Sequence, residues 1–225
     1  MKMNSNQLKL IAMISMTIDH VGMILFPEVI AFRIIGRIAF PIFAYMIAEG
    51  CRYTKDRKKY LLTLLGLGVI CQIVSYVAEG SLYQCVLISF SLAVGLIYLY
   101  DYAVQSKKLW AWTGFILAIA MIGFLCEILP TWLPDTDFAI DYGVFGILLI
   151  FWVYTAKDKK TKLIYLAISV ALLSLDIQWV QWYSLASVPL IACYNGERGK
   201  YNLKYLFYIF YPFHLAIVYA ISLVL

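Results

Sequence analysis

The chain has 225 residues, of which 64% are hydrophobic and only 14% are charged. Globular soluble proteins carry about 25% charged residues, because a chain folded in water needs them to cover its outside. This composition excludes an ordinary soluble domain and indicates that most of the surface faces lipid. The net charge of +5 would suit a nucleic-acid partner in a soluble chain. Here we expect no such partner, and the positions of the charges matter more than their sum.

Nine apolar segments predict membrane-spanning helices. A bilayer core about 30 Å thick needs about 20 apolar residues per helix, and about 17 suffice at the short end of the range. The candidate segments are 8–27, 31–51, 59–79, 84–103, 109–130, 142–156, 162–180, 182–194 and 205–225. The loops between them leave no room for a separate core. The sequence therefore predicts an all-α, polytopic membrane bundle of about nine transmembrane helices, forming a single domain over residues 1–225.

Basic residues fall on alternate loops between these segments. If the N-terminus with Lys2 and Lys9 is cytoplasmic, all of the 18 Lys and Arg residues except Arg33 and Arg37 belong to the cytoplasmic side. Lys and Arg are retained in cytoplasmic loops, whereas acidic residues contribute little to orientation. The opposite loops carry mainly acidic residues. We therefore expect nine spans with a cytoplasmic N-terminus and an external C-terminus.

A small set of ionisable residues lies inside the predicted spans: Asp19 and His20 on the first, Arg33 and Arg37 on the second, and His214 on the ninth. Each such side chain costs at least about 2.5–3.5 kcal/mol on insertion scales, so each needs a partner or a purpose. At 1.5 Å per residue, Asp19, His214 and Arg37 lie at depths of about 16, 14 and 21 Å. Because these depths agree within one or two helical turns, we expect the set to meet in space.

Two interpretations of this cluster stay open at this point. In the chemical one, His20 or His214 is the general base and accepts a proton from an amine or hydroxyl, Asp19 holds its tautomer, and Arg37 stabilises an oxyanion. In the structural one, Asp19 and Arg37 form an ion pair that joins two helices, and each histidine bonds a backbone carbonyl. Arg33 is expected to extend to the outer headgroups. No G-x-S-x-G motif is present, which favours direct transfer without a covalent enzyme intermediate.

The second predicted span and the loop after it carry further features. Pro41 removes a backbone donor in mid-span and is expected to kink the helix beside Arg37. Glu49 and Arg52, three residues apart, can form an ion pair. The densest basic run follows and comprises Lys55, Arg57, Lys58 and Lys59. This run obeys the positive-inside rule, and it would also attract a phosphorylated cytosolic donor.

The external loops and the cysteines give weaker signals. The segment LPTWLPDTDFAIDYG contains three aspartates, which form either a plain solvated loop or an acidic lip that attracts a cationic acceptor. The five cysteines are widely spaced and include no C-x-x-C pair. We therefore interpret them as small buried hydrophobic residues and expect no metal site.

Three stretches of the chain resemble the TraX family, the membrane proteins of conjugative plasmids and bacterial chromosomes that acetylate pilin. They are SNQLKLIAMISMTIDHVGMILFP, FRIIGRIAFPIFAYMIAEGCRYTKDRKKYLLTL and YNLKYLFYIFYPFHLAIVYAI. The resemblance is specific in the first two helices and the last, whereas the middle helices match only in hydropathy. The positions carried over from the family are Asp19, His20, Gly36, Arg37, Phe40, Pro41, Glu49, Gly50, Arg52, Pro212 and His214.

The resemblance implies an acetyltransferase of the bacterial inner membrane. Its donor substrate would be cytosolic acetyl-CoA, and its acceptor pilin or a cell-envelope glycan. For this donor we expect a basic entry on the cytosolic side of the bundle, lined by Glu49, Arg52, Arg57 and Lys58. Two alternatives remain: a proton-coupled transporter that uses Asp19, His20 and His214 as a relay, and a non-catalytic assembly partner whose polar cluster fixes helix register.

Overall fold

The computed structural model describes residues 2–177, 179–200 and 203–223, the last range without the side chains of residues 204 and 205. Within these ranges the regular structure is helical, and two isolated β-bridges are its only extended pairings. The helices are α1 (Ser5–Ile24), α2 (Ile30–Gly36), α3 (Ala39–Tyr53), α4 (Arg57–Glu79), α5 (Val86–Ser106), α6 (Leu109–Gly123), α7 (Leu129–Trp132), α8 (Gly143–Thr155), α9 (Lys159–Asp176), α10 (Ser187–Ala192) and α11 (Lys204–Ser222). A π-helical turn, Phe124–Ile128, precedes α7, and a 3-10 helix, Trp179–Ala186, precedes α10. The predicted all-α class is confirmed.

Each of the nine predicted segments coincides with helical structure. The second consists of α2 and α3, the fifth of α6 to α7, and the eighth of the 3-10 helix and α10. Among the described residues, four stretches are long and apolar enough to cross a membrane: Ile30–Tyr53, Arg57–Glu79, Val86–Ser106 and Leu109–Trp132. These four helices are the observation that favours a helical membrane protein. The count of nine crossings stays a prediction, and the end of the ninth segment, residues 224–225, lies outside the described residues.

The outer faces of α4 and α6 are apolar and exposed. In the most apolar window of Arg57–Glu79, and likewise of Leu109–Trp132, only 11% of the residues are buried, against 56% for α5. Large side chains such as Val74 and Val77 on α4 and Ile116 on α6 are more than half exposed. Soluble monomers rarely expose contiguous apolar patches of this kind. These faces are suited to contact with lipid.

The backbone forms two compact units. The first comprises Met1–Met46 with Lys159–Leu225, and the second comprises Ile47–Asp158. The first unit contains α1, α2, the beginning of α3 and α9 to α11, whereas the second contains the rest of α3 and α4 to α8. The single domain expected from the sequence stays a prediction.

Helices α1 and α2 approach each other closely because glycine stands at two of their contact points. A Cβ atom built on Gly22 would lie 2.3 Å from Cβ of Phe32, and one built on Gly36 would lie 2.2 Å from Cβ of Asp19. Real Cβ atoms essentially never come within 3.0 Å of another heavy atom in this way. Small residues thus let the two backbones meet, as they do in many membrane proteins. The first two helices thus pack as neighbours, as an ion pair between Asp19 and Arg37 requires.

At one end of the first unit, the N-terminus pairs with the segment that follows α10. The Met3 N–H donates to the carbonyl of Cys193 at 2.8 Å, and the Asn195 N–H donates to the carbonyl of Met3 at 2.8 Å. At the start of α9, Lys159 Nζ donates to the carbonyl of Tyr194 at 2.7 Å. The nine-span prediction places the N-terminus, the start of α9 and the segment after α10 on the same side of the membrane, the cytoplasmic side. The structure groups them in that way.

The ends of the second unit are also grouped as the charge pattern predicts. At one end, the Gln84 N–H donates to the carbonyl of Ala139 at 2.8 Å, and the Asp141 N–H donates to the carbonyl of Gln84 at 3.0 Å. At the other end, Arg57 at the start of α4 pairs with Asp101 near the end of α5 at 2.7 Å. The acidic loops thus meet at one end and the basic loops at the other. The assignment of the basic end to the cytoplasm stays a prediction.

Candidate functional site

The ionisable residues predicted to cluster meet in the first unit, where they form what we call the polar centre. It consists of side chains from α1, α2, the break after α2, the 3-10 helix and α11: Asp19, His20, Arg33, Arg37, Gln181 and His214. Residues from the two ends of the chain thus lie in contact. This part of the prediction from depth is confirmed.

Asp19 accepts hydrogen bonds from two arginines. Arg37 Nη2 donates to its Oδ1 at 2.9 Å and to its Oδ2 at 3.1 Å, and Arg33 Nη1 donates to Oδ2 at 2.7 Å. The side chains of Asp19 and Arg37 are only 14% and 12% exposed. The Asp19–Arg37 ion pair is confirmed, whereas the expected extension of Arg33 to the headgroups is wrong. Residues four apart share a helix face, so Arg33 reaches the same carboxylate as Arg37.

His20 and His214 contact each other. His214 Nε2 lies 3.0 Å from His20 Nδ1, and the ring centroids are 4.9 Å apart. Each Nδ1 also lies 2.9 Å from a carbonyl four residues earlier in its own helix, that of Met16 for His20 and that of Phe210 for His214. The ring of Phe210 stacks on His214 with an interplanar angle of 6°. His214 is 6% exposed, so the pair is held on several sides.

These partners determine the tautomers of two neutral rings. A carbonyl oxygen only accepts, so His214 Nδ1 carries its proton and His214 Nε2 is an acceptor. His20 Nδ1 faces two acceptors, the Met16 carbonyl and His214 Nε2, and therefore also carries a proton. The remaining lone pair of His20 lies on Nε2. Among the described residues, this nitrogen has no hydrogen-bond partner.

Asp19 does not have its predicted role of holding a histidine tautomer. Its two carboxylate oxygens bind the guanidinium groups of Arg33 and Arg37. The orientation of His20 comes instead from the Met16 carbonyl and His214. Asp19 and His20 therefore contact different partners, because side chains one position apart on a helix do not share a face.

Arg37 stands at the break between α2 and α3. The helix is interrupted at residues 37 and 38, and Pro41 lies in the first turn of α3. In a continuous helix the N–H of residue 41 would bond the carbonyl of Arg37, but proline has no N–H. The Arg37 N–H itself closes α2 by donating to the carbonyls of Arg33 and Ile34 at 3.1 and 3.3 Å. The predicted distortion beside Arg37 is confirmed.

Gln181 belongs to the polar centre, although the sequence analysis did not single it out. Arg37 Nη1 donates to its Oε1 at 3.3 Å, and Gln181 is 1% exposed. Gln181, Ser184 and Ser187 recur every three residues and are all buried. A 3-10 helix has three residues per turn, so polar residues at this spacing lie on one face. The signal that could have identified Gln181 was this three-residue spacing within an apolar segment.

Arg52, one of the four predicted donor-binding residues, caps the C-terminal end of α8. Its Nη2 donates to the backbone carbonyls of Tyr154 and Ala156. The last carbonyls of a helix have no partner within the helix and need such donors. Arg52 Nε also lies 4.0 Å from Oε1 of the buried Glu49, as the three-residue spacing predicted. Donor binding by Glu49 and Arg52 stays a prediction, and their described contacts lie within the second unit.

Arg57 is likewise engaged within the second unit. Its Nη2 lies 2.7 Å from Asp101 Oδ2, and the same oxygen accepts a hydrogen bond from Tyr154 Oη at 2.6 Å. The guanidinium also lies 5.0 Å from the ring centroid of Tyr98. These contacts fix the start of α4 against α5 and α8.

Lys58, the fourth of these residues, lies at the exposed start of α4. Together with Asp56, Lys59, Leu62 and Thr63 it lines a shallow cavity of about 350 Å³. Asp56 caps the helix here, since its Oδ1 accepts the Lys59 N–H at 2.9 Å. The two lysine ammonium groups are therefore presented on an ordered helix turn.

Two of the aspartates in the predicted acidic lip connect loops of the second unit. Asp137 accepts from Ser81 Oγ at 2.5 Å and from the Leu82 N–H at 2.7 Å, and Asp141 accepts from Tyr83 Oη at 2.8 Å. The Ser81 hydroxyl and the Leu82 N–H hold the pKa of the Asp137 carboxyl below its usual value. These aspartates therefore hold loops together through hydrogen bonds, whereas the side chains of a plain solvated loop would contact water.

The sequence as a whole is similar to known proteins. The family described as "TraX protein" matches residues 4–222. The protein named "Probable fimbrial assembly protein FimC, serogroup H1" of Dichelobacter nodosus is 24% identical, over 94% of this chain and 93% of its own length. "Protein TraX" of Escherichia coli is also 24% identical, over 96% and 86% respectively. No solved structure matches the chain.

A third relative covers less of its own length. An uncharacterized protein of Rickettsia prowazekii (strain Madrid E) is 34% identical over 157 residues, which are 69% of this chain and 57% of that protein. The match thus spans little more than half of the Rickettsia protein. The family match, by contrast, includes every residue of the polar centre. On this ground the chain is a member of the TraX family.

Proposed function

We propose that this protein is a membrane-embedded acetyltransferase that transfers an acyl group from cytosolic acyl-CoA to an amine or hydroxyl acceptor at or across the membrane. The observation that carries the proposal is the hydrogen-bonded pair of His20 and His214, which lies in one polar centre with the Asp19–Arg37 ion pair. The pair provides a positioned base, and the arginine provides positive charge. A positioned general base contributes about 10²- to 10⁴-fold to a reaction rate.

The proposed reaction is a direct transfer. The nitrogen or oxygen of the acceptor attacks the carbonyl carbon of the thioester while His20 Nε2 takes its proton, and the electron pair of the C=O bond moves onto the oxygen. The resulting oxyanion collapses, the carbon–sulfur bond breaks, and the CoA thiolate receives the proton from His20. The products are free CoA and the acylated acceptor, so protons and electrons balance.

The other residues of the polar centre assist this step in the proposal. His214 Nε2 accepts the Nδ1–H of His20 and so holds the tautomer that leaves Nε2 of His20 basic. Asp19 holds Arg37 in place through two hydrogen bonds. The positive charge of Arg37 favours the oxyanion, because fixed charge in a site that excludes water acts more strongly than it does in water.

The donor contacts that we propose lie in the basic run at the start of α4. Lys58 and Lys59 line the shallow cavity there, and lysine binds phosphate as a point charge. Acyl-CoA carries several phosphate charges, so this run is the part of the chain suited to it. In the proposal Glu49, Arg52 and Arg57 line the donor entry together with Lys58, and their ion pairs also hold the end of α3 and the start of α4.

For the acceptor we propose a pilin N-terminus or a cell-envelope glycan. The Dichelobacter nodosus relative is named a probable fimbrial assembly protein, which favours a pilus subunit. Both acceptors offer the amine or hydroxyl group that the proposed reaction needs. Either would be reached from within the bilayer or at its outer surface.

Acyl transfer is tested by the release of free CoA from the purified full chain in liposomes. We expect acetyl-CoA to be consumed only when an acceptor is present, and the rate to saturate as candidate amines, sugars and pilin peptides are titrated. Equal CoA release with and without each acceptor would contradict transfer. Substrate-driven proton flux without any thioester cleavage would instead support the proton-coupled transporter.

We also propose that the protein lies in the bacterial inner membrane, with the N-terminus in the cytoplasm and nine crossings. The grouping of basic loops at one end of each unit supports an odd number of spans. The expected result is that an alkaline phosphatase fused to the C-terminus is active and a green fluorescent protein fused there is dark. A fluorescent C-terminal fusion would contradict this topology.

A further inference from the structure

Gln181 has a fixed orientation and an unsatisfied donor. Its Oε1 accepts from Arg37 Nη1 at 3.3 Å. Because a guanidinium only donates, the amide oxygen must face Arg37 and the amide nitrogen must point away from it. Gln181 is 1% exposed, and among the described residues its Nε2 has no hydrogen-bond partner. The polar centre thus contains a buried N–H donor whose direction is set by a contact to Arg37.

A buried donor of this kind is suited to a partner that arrives from outside the described part of the chain. Buried side-chain polar atoms in folded proteins nearly always have a hydrogen-bond partner. On the same buried face, Ser184 Oγ donates to the Gln181 carbonyl at 2.5 Å, whereas Ser187 Oγ, like Gln181 Nε2, has no hydrogen-bond partner among the described residues. Of these two groups, the Gln181 amide is the one that contacts Arg37 and so belongs to the polar centre that contains the two imidazoles. The complementary group is a carbonyl or anionic oxygen on a substrate.

We propose that Gln181 is a catalytic residue whose Nε2–H donates to the carbonyl oxygen of the acyl thioester. This inference rests on the acyl transfer proposed above. As the acceptor attacks the carbonyl carbon, the electron pair of the C=O bond moves onto this oxygen, and the Gln181 amide together with the charge of Arg37 stabilises it. Donors that are aimed at an oxyanion before the reaction begins are among the largest contributors to acyl-transfer catalysis.

The test uses two substitutions at this position and one matched control. Gln181→Glu keeps an oxygen for Arg37 but removes the donor, and Gln181→Met removes both. We expect each to lower kcat by about 10²- to 10³-fold and to raise KM for acetyl-CoA only modestly, since the contact forms with the bound thioester and strengthens in the transition state. The control Gln7→Glu makes the same chemical change in the capping box of α1, where glutamate serves equally well, and is expected to keep wild-type kcat.

A binding measurement separates this inference from the proposed function. S-ethyl-CoA has the same nucleotide and arm as acetyl-CoA but no carbonyl oxygen. Wild-type protein is expected to bind acetyl-CoA more tightly than S-ethyl-CoA, and Gln181→Met to bind the two equally while keeping wild-type affinity for S-ethyl-CoA. That unchanged affinity also shows that the variant is folded.

Wild-type kcat in both Gln181 variants, or an unchanged preference for the thioester, would overturn the role of Gln181 while leaving acyl transfer in place. If the wild-type protein neither binds nor cleaves acetyl-CoA, both proposals fall.

Discussion

Asp19→Ala is expected to lower the free energy of unfolding by up to about 3 kcal/mol and to abolish acyl transfer, because it leaves the guanidinium groups of Arg37, 12% exposed, and Arg33, 27% exposed, without their carboxylate. The three groups form one unit, with both carboxylate oxygens within 3.1 Å of a guanidinium nitrogen. Removing one partner of a buried pair costs more than the pair itself contributes. Thermal unfolding of the purified protein in detergent, together with the rate of CoA release, measures both effects.

Two further variants separate loss of charge from loss of geometry. The double variant Asp19→Ala/Arg37→Met is expected to be more stable than Asp19→Ala alone, since it removes a guanidinium whose charge is no longer balanced by the Asp19 carboxylate. Gly36→Ala leaves every charge in place but drives a Cβ atom to 2.2 Å from that of Asp19, and it is expected to lower the melting temperature as well. Gly114→Ala in α6 is the matched control, since its Cβ would meet nothing within 4 Å. An Asp19→Ala protein with wild-type stability would contradict a stabilising role of the Asp19–Arg37 ion pair.

His20→Gln is expected to reduce kcat by about 10²- to 10⁴-fold, the usual contribution of a general base. Glutamine keeps a polar amide at this position but cannot accept a proton at neutral pH. At the second histidine, His214→Gln supplies an amide oxygen that can still accept the Nδ1–H of His20. His214→Ala leaves no acceptor for this N–H in the place of the imidazole. We therefore expect kcat to decrease in the order wild type, His214→Gln, His214→Ala, His20→Gln.

This order distinguishes the base from its positioning residue. CoA release at saturating donor and acceptor measures kcat for the four proteins, and binding of S-ethyl-CoA shows that each variant is folded. If His214→Gln lost as much activity as His20→Gln, the assignment of the base to His20 would be wrong. Full activity in all three variants would exclude both histidines as the base and favour a purely structural role for the polar centre.

The sequence predicted the meeting of α1, α2 and α11 because ionisable residues are rare at membrane depth and their depths can be counted along a helix. The same counting should have placed Arg33 on Asp19, since Arg33 and Arg37 share one face of α2. The error came from assuming that an arginine near a helix end extends its side chain to the lipid headgroups. A neighbouring carboxylate offers a closer partner than the headgroups when glycine allows the helices to touch.

Other contacts could not be predicted because their partners are distant in sequence or carry no charge. Arg52 bonds carbonyls more than 100 residues further along the chain, and backbone carbonyls leave no mark in a sequence. Gln181 is neutral and lies between the seventh and eighth predicted spans, where a polar residue is unremarkable. The basic run was correctly recognised as positive, but its charges divide between the internal pair of Arg57 with Asp101 and the open surface at Lys58.

The attachment of α1 at both ends limits how its length can vary. Asn4 caps the helix, Met3 before it is paired with residues 193 and 195, and Asp19 is held by two arginines fifteen positions later. Deleting or inserting one residue between these anchors would turn the distal half by about 100° and shift it by about 1.5 Å. Asp19 and His20 would then both miss their partners at once. Evolution can exchange the apolar side chains of this interval, but the number of residues within it is constrained.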